Sequence, residues 1–307
     1  MRKEPGYLAL YRGGELTARA KTAREILTCC RLCPRECEVN RLAGEAGECR
    51  TGEQALISSY APHFGEEDPL VGIGGSGTIF FTYCNLGCIF CQNYTISHRG
   101  EGIMVTNADL AKMMLSLQSR GCHNINLVTP THVVPQILDA LLLAVAEGLS
   151  VPLVYNCGGH ESMETLKLLD GIVDIYMPDM KYSDAETGLR YSGVVDYPSF
   201  NKAAVREMHR QVGDLQTDSR GIAIKGLLVR HLVLPGGLAG TEEVVRFIAK
   251  DISVNTYLNV MAQYRPCHEA FGIPELARPI TRQEFQQAIE LAHQQGLSRL
   301  DRMGTPF

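Results

Sequence analysis

Six short runs, continuously apolar and rich in β-forming residues, alternate with longer segments of helical character from about residue 78 onward: TIFFTY (78–83), NINLVTPT (124–131), VPLVYNCGG (151–159), IVDIYMPDMK (172–181), GLLVRHLVLPGG (226–237) and TYLNVMAQYRP (256–266). A strand that does not alternate apolar with polar residues needs cover on both faces, which parallel sheets flanked by helices provide. The intervening segments carry helix-end signals. Thr281 with Glu284 makes a capping box, Thr241 precedes two acids, and Gly148, Gly171 and Gly296 stand where helices should stop. Six βα units fit a doubly wound open sheet or a curved, barrel-like one. The expected fold is α/β, a partial (β/α)6 TIM-like barrel, with working residues at the C-terminal ends of the strands.

Residues 1–77 differ from this repeat, being richer in glycine, charge and cysteine, and are expected to form a small cysteine-rich N-terminal extension that a metal could staple. Residues 78–307 are expected to form the barrel and a C-terminal helix. The glycine-rich VGIGGSG (71–77) lies before the first strand, not between strand and helix as a dinucleotide fingerprint would, and reads as a flexible connection. With 307 residues, 45% of them hydrophobic, the chain can bury a full core. A net charge of -5 offers no general basic field for nucleic acid. ILDALLLAVAEGL, the longest apolar stretch, is too short and too interrupted by acids to span a bilayer. The N-terminus lacks an apolar segment followed by a cleavage site, so a cytoplasmic protein is expected.

The chain has 11 cysteines, an odd number and tightly clustered, which argues against a secreted disulfide framework and for metal or redox chemistry. Three of them, Cys84, Cys88 and Cys91, stand in FFTYCNLGCIFCQN directly behind the first strand. Thiolates are soft ligands suited to zinc, copper(I) and iron-sulfur clusters. Zinc in a structural site needs four protein ligands, and His98 is the nearest candidate for the fourth. A [4Fe-4S] cluster held by only three thiolates keeps one iron open for a substrate or cofactor.

Cys-x3-Cys-x2-Cys with Phe90 just before the third cysteine resembles the signature of radical S-adenosylmethionine (SAM) enzymes. CNLGCIFCQN and the elements to about residue 265 are similar to the branch of pyruvate formate-lyase activating enzymes. The N-terminal cysteine segment extends the likeness to lesser-characterised activase-like proteins. The resemblance implies SAM chelating the open iron by its amino and carboxylate groups. One electron from the cluster then yields a 5′-deoxyadenosyl radical that abstracts hydrogen, while the protein orients the cofactors and excludes water and oxygen. Gly87 is expected at the positive φ that a tight loop around a cluster demands, and Phe90 against the adenine.

The same resemblance assigns residues at the other strand ends. Thr129, Pro130, Thr131 and His132 occupy the place where relatives carry a glycine-glycine-glutamate segment that binds the SAM amino group, and Thr129 and Thr131 offer hydroxyls and carbonyls instead. Asn156, with Gly158 and Gly159 beside it, stands as a SAM ligand, and Asp179 with Lys181 as ribose or substrate ligands or, alternatively, a surface ion pair. Arg230 sits in a run so apolar that it needs a carboxylate partner, for which the methionine carboxylate of SAM is the candidate; His231 faces the other side. Gln263 lies near the mouth. Cys267 could return hydrogen to a substrate radical in an epimerase or be inert, while Cys122 and Cys157 read as core.

Cys30, Cys33, Cys37 and Cys49 have the spacing of a structural zinc site, with a second iron-sulfur cluster as the rival. Nearby, His63, Glu66, Glu67 and Asp68 read as a solvated acidic turn. The first expectation for function is installation of a glycyl radical on a partner enzyme, with a flavodoxin or ferredoxin as electron donor. The second is modification or epimerisation of a small molecule or peptide, and the third, of another class, a non-catalytic zinc or electron-transfer protein.

Overall fold

The computed structural model describes residues 4–301; residues 1–3 and 302–307, the outer ends of the two expected domains, lie outside the described residues. Among the described residues nine strands form the sheet: β1 (Ala55–His63), β2 (Ser76–Phe81), β3 (Ile103–Val105), β4 (Ile125–Val128), β5 (Leu153–Cys157), β6 (Ile175–Pro178), β7 (Gln216–Thr217), β8 (Ala223–Leu232) and β9 (Tyr257–Met261). Their order is β3-β1-β2-β4-β5-β6-β8-β7, with β9 added to β8. All six expected runs become strands, and β2, β4, β5, β6, β8 and β9 pair in parallel in that order. Among the described residues no ladder joins β9 back to the first strands, so the sheet is curved into part of a barrel and stays open.

Helices lie on the outer face because only there can an amphipathic stripe meet apolar strand residues. The helix Val134–Ala146 is apolar on nearly every side and is buried between Asn107–Ser119 and the N-terminal helix Glu15–Ile26. Thr281 and Glu284 form both bonds of the expected capping box. Thr241 instead opens its helix and partners Nε2 of His231, which faces the helical side, at 2.9 Å. Among the described residues, no helix is long and apolar enough to cross a membrane.

Two expectations about residues 1–77 are corrected. The boundary at 77 falls inside one sheet, because β1 pairs antiparallel with both β2 and β3. Its run ALISS alternates in burial as a half-covered strand should, a pattern masked by the polar composition around it. VGIGGSG is a close-packed crossing and not a flexible connection. A Cβ at Gly77 would stand 2.6 Å from the Asn124 carbonyl oxygen, and one at Gly74 2.0 Å from that of Gly121.

Candidate functional site

The strand register builds the site. Val128, Asn156 and Met177 stand in one row across β4, β5 and β6, and two residues beyond Met177 Asp179 bridges to Arg230 of β8. This C-terminal edge faces the irregular segment that leaves β2 and carries the three cysteines, in which Gly87 has φ +69°. Cys84, Cys88 and Cys91 line a cavity of about 150 Å³ together with Thr129, Asn156, Gly158, Asp179, Lys181 and Arg230. A wider, solvent-open hollow of about 930 Å³ at the opposite ends of the strands gathers no comparable set of groups.

Each sulfur of the loop receives a donor. The Leu86 amide reaches Cys84 Sγ at 3.4 Å, the Ser192 hydroxyl Cys88 Sγ at 2.9 Å, and the Ser97 hydroxyl Cys91 Sγ at 3.2 Å. Burial, followed by the charge of neighbouring Cys88, pushes the Cys84 thiol up to about 12, and burial likewise raises Cys91. Such thiols become thiolates when a metal supplies the compensating charge. Three soft donors on one rim, with polar groups across from them, fit a cluster with one open corner. Of the fourth ligands open to a zinc site, His98 does not line the cavity, its Nε2 meeting the Cys88 carbonyl at 3.0 Å, whereas Cys157 does.

Asp179 is the electrostatic centre of the far wall. Lys181 Nζ reaches one carboxylate oxygen at 2.6 Å and Arg230 Nε the other at 2.8 Å. Burial works to raise the Asp179 pKa, but Arg230 and then Lys181 outweigh it and hold the carboxyl below its ordinary value. Burial likewise opposes the charge on Lys181, and the Asp179 carboxylate and the Cys88 sulfur overcome it, so Lys181 stays protonated. Arg230 has a carboxylate partner in Asp179. Two expectations change: the pair of Asp179 and Lys181 does not lie on the surface, their side chains being only 13% and 18% exposed, and Glu66 and Glu67 are buried, with Glu67 accepting from Asn259 at 2.9 Å. The polar letters of HFGEED concealed that the segment folds back under the barrel, where Arg230 attracts both acids.

The remaining expected site residues scatter. Thr129 lines the cavity at φ +60°, a conformation costly for a β-branched residue, while its amide donates to the Asn156 carbonyl at 2.8 Å. Thr131 lies beneath, its hydroxyl donating to Glu161 at 2.7 Å. His132 is buried, with Nε2 2.9 Å from the Thr82 carbonyl, and burial lowers its pKa to about 4. Phe90 stands edge-on to Tyr182 and Tyr264, away from the cavity lining. Gln263 is exposed, and half-buried Cys267 precedes the short turn His268–Gly272; neither lines the cavity. Cys30, Cys33, Cys37 and Cys49 line a separate, narrow hollow.

Sequence reasoning missed Glu161, fully buried and held by Thr131 and by the Tyr155 hydroxyl at 2.9 Å. Its one signal was an acid directly after Gly158, Gly159 and His160. Ser192 and Arg35 had none. Arg35 donates to the carbonyls of Asn85 (2.9 Å), Leu86 (3.0 Å), Ser192 (3.2 Å) and Gly193 (2.8 Å), tying the N-terminal cysteine segment to the three-cysteine loop.

The fold and site define an α/β protein with an open parallel sheet and a thiol-rimmed cavity at the strand C-termini. The chain belongs to the same family as the Uncharacterized protein MJ0674 of Methanocaldococcus jannaschii, to which it is 32% identical over 292 residues, 92% of this chain and 79% of that one. No family model matches. Among solved structures it is similar to a radical SAM methyltransferase from Sphaerobacter thermophilus, at 13% identity and a TM-score of 0.49, covering 73% of this chain and 66% of that one. It is also similar to SuiB from Streptococcus suis, bound to precursor peptide SuiA, at 13% identity and a TM-score of 0.47, covering 69% of this chain and 43% of that one.

Proposed function

We propose that the chain is a radical SAM enzyme, with Cys84, Cys88 and Cys91 holding a [4Fe-4S] cluster and SAM lying in the adjoining cavity. The observation that carries this reading is the donor set: three thiols on one rim of a cavity whose facing wall holds Thr129, Asn156, Asp179, Lys181 and Arg230. When bound, the two cofactors supply a reductive cleavage that yields the 5′-deoxyadenosyl radical for hydrogen abstraction. The chain binds and orients. Asn156 presents an amide at the end of β5, and Gly158 lets backbone approach closely, since a Cβ there would meet Leu86 at 2.6 Å. Asp179, held ionised by two cations, accepts from ribose hydroxyls. Lys181 sets positive charge beside Cys88, and the buried walls exclude water.

The test is anaerobic reconstitution followed by electron paramagnetic resonance and product analysis. A reduced cluster whose signal changes on adding SAM, and 5′-deoxyadenosine release on reduction, are the expected results. A chain carrying four irons that does neither would overturn the reading. For the target we infer a glycyl-radical enzyme, with a flavodoxin or ferredoxin as electron donor, supported by the likeness of CNLGCIFCQN to activating enzymes. Anaerobic mixing with such a partner should produce a glycyl radical signal on it. Direct modification of a small molecule or peptide, with Cys267 as hydrogen donor, has no contact with the cavity in its favour.

A further inference from the structure

The N-terminal cysteines form a second centre with its own electrostatic logic. Cys30, Cys33, Cys37 and Cys49 surround one narrow hollow of about 10 Å³. That space is of the order of one water-sized sphere, far below what four irons and four sulfides occupy. Three of the sulfurs already accept backbone amides: Cys33 from Arg35, Cys37 from Glu48 at 3.4 Å, and Cys49 from Thr51. Gly47 presses on Cys37 so closely that a Cβ there would stand 2.7 Å from its Sγ. Among the described residues no three Cys, His, Asp or Glu side chains meet at ion-binding distance.

Arg41 lines the same hollow. Its side chain is 1% exposed and donates to the Gly52 carbonyl (3.0 and 2.8 Å) and the His132 carbonyl (2.8 Å), with Cys30 Sγ at 3.9 Å. It takes part in none of the ion pairs among the described residues. A guanidinium stays charged in any protein, and burying it without a counter-charge is costly. All four thiols are free, and as neutral groups they cannot supply that charge. Four thiolates on one divalent cation carry a net charge of about -2, and tetrahedral sulfur coordination is the geometry zinc favours.

We propose that Cys30, Cys33, Cys37 and Cys49 bind one structural zinc ion, whose negative tetrathiolate shell is the missing partner of Arg41. The site stands independently of the cluster reading, but the two meet through Arg35. That residue lies between Cys33 and Cys37 and spends its donors on the loop of Cys84 to Cys91 and on the Ser192–Gly193 turn behind Cys88. A metal closing the turn of residues 30–37 thus fixes the direction from which Arg35 holds the other loop.

The test is metal stoichiometry of the full chain, purified without oxygen, in the wild type and in the triple variant Cys84→Ser, Cys88→Ser, Cys91→Ser. One zinc per chain in both, with iron absent from the triple variant, is the expected result. Iron and sulfide persisting in the triple variant, or the absence of stoichiometric zinc there, would overturn the proposal. Cys30→Ser and Cys49→Ser should each lose the zinc, and retention of stoichiometric zinc by either soluble variant would equally sink it. Should these variants fail to fold, cobalt loaded into the triple variant should give tetrahedral thiolate bands, and their absence refutes the site. Failure of the cluster reading would show instead as a wild type without iron, leaving the zinc count untouched.

Discussion

Asp179→Asn tests whether the far wall of the cavity is held by charge. The substitution keeps the side-chain shape, so it opens no void, but it leaves Lys181 and Arg230 facing a neutral amide where the carboxylate had met them at 2.6 and 2.8 Å. At an effective dielectric of about 20, each contact is worth roughly 6 kcal/mol in gross Coulomb energy. Most of that offsets the desolvation of burying three charged groups, and removing one partner of a buried pair costs about 3 to 5 kcal/mol net. The expected loss lies in that range, moderated for Arg230 by Glu67 and Glu66. Urea unfolding followed by circular dichroism under anaerobic, reducing conditions measures it. The double variant Asp179→Asn, Lys181→Met removes one of the stranded cations and should recover part of the loss, a coupling that a double-mutant cycle isolates. A loss below about 1 kcal/mol, or strict additivity in the cycle, would show that the three groups are solvated and that the electrostatic account of the wall is wrong.

Arg35→Ala removes charge-assisted bonds to four carbonyls and should cost about 2 to 3 kcal/mol, together with lowered iron retention; full iron content and unchanged stability would separate the two loops. Gly77→Ala should destabilise by about 2 kcal/mol through overpacking, read from the thermal midpoint, and a neutral result would mean that the crossing is loose. His132 and His231 both have pKa values lowered by burial to about 4. The unfolded chain takes up their protons below about 6.5 and the folded chain only near 4, so stability falls as pH drops through that window, by about 3 kcal/mol per histidine at its end. A urea midpoint that stays level from pH 7 to pH 4.5 contradicts this. Ser192→Ala takes a donor from Cys88 and should shift the midpoint potential of a cluster there to a more negative value, measurable by anaerobic redox titration.

The strands were legible because burial on both faces leaves continuous apolar runs, and a parallel sheet is the arrangement that covers them. The three-cysteine loop was legible because it follows the first of those runs. Pairings between distant segments were not, since they depend on which side chains the register brings opposite one another. Arg230 illustrates the limit: its need for a carboxylate could be read from its apolar neighbours, but that Asp179 meets it follows from one bridge between β8 and the residue just after β6. HFGEED shows the converse error, in which composition suggested solvent while the fold turned two acids inward toward that arginine.

The backbone at Thr129 adopts the positive φ that glycine favours. What holds a β-branched residue there is visible on both sides: its amide is tied to the Asn156 carbonyl, and Thr131, two residues on, is anchored to buried Glu161. A strained conformation persists where its surroundings over-determine it, and such positions cluster at ligand sites. Glu161 therefore matters to the cavity without touching it, because it pins the segment that presents Thr129 beside Asn156 and the three cysteines.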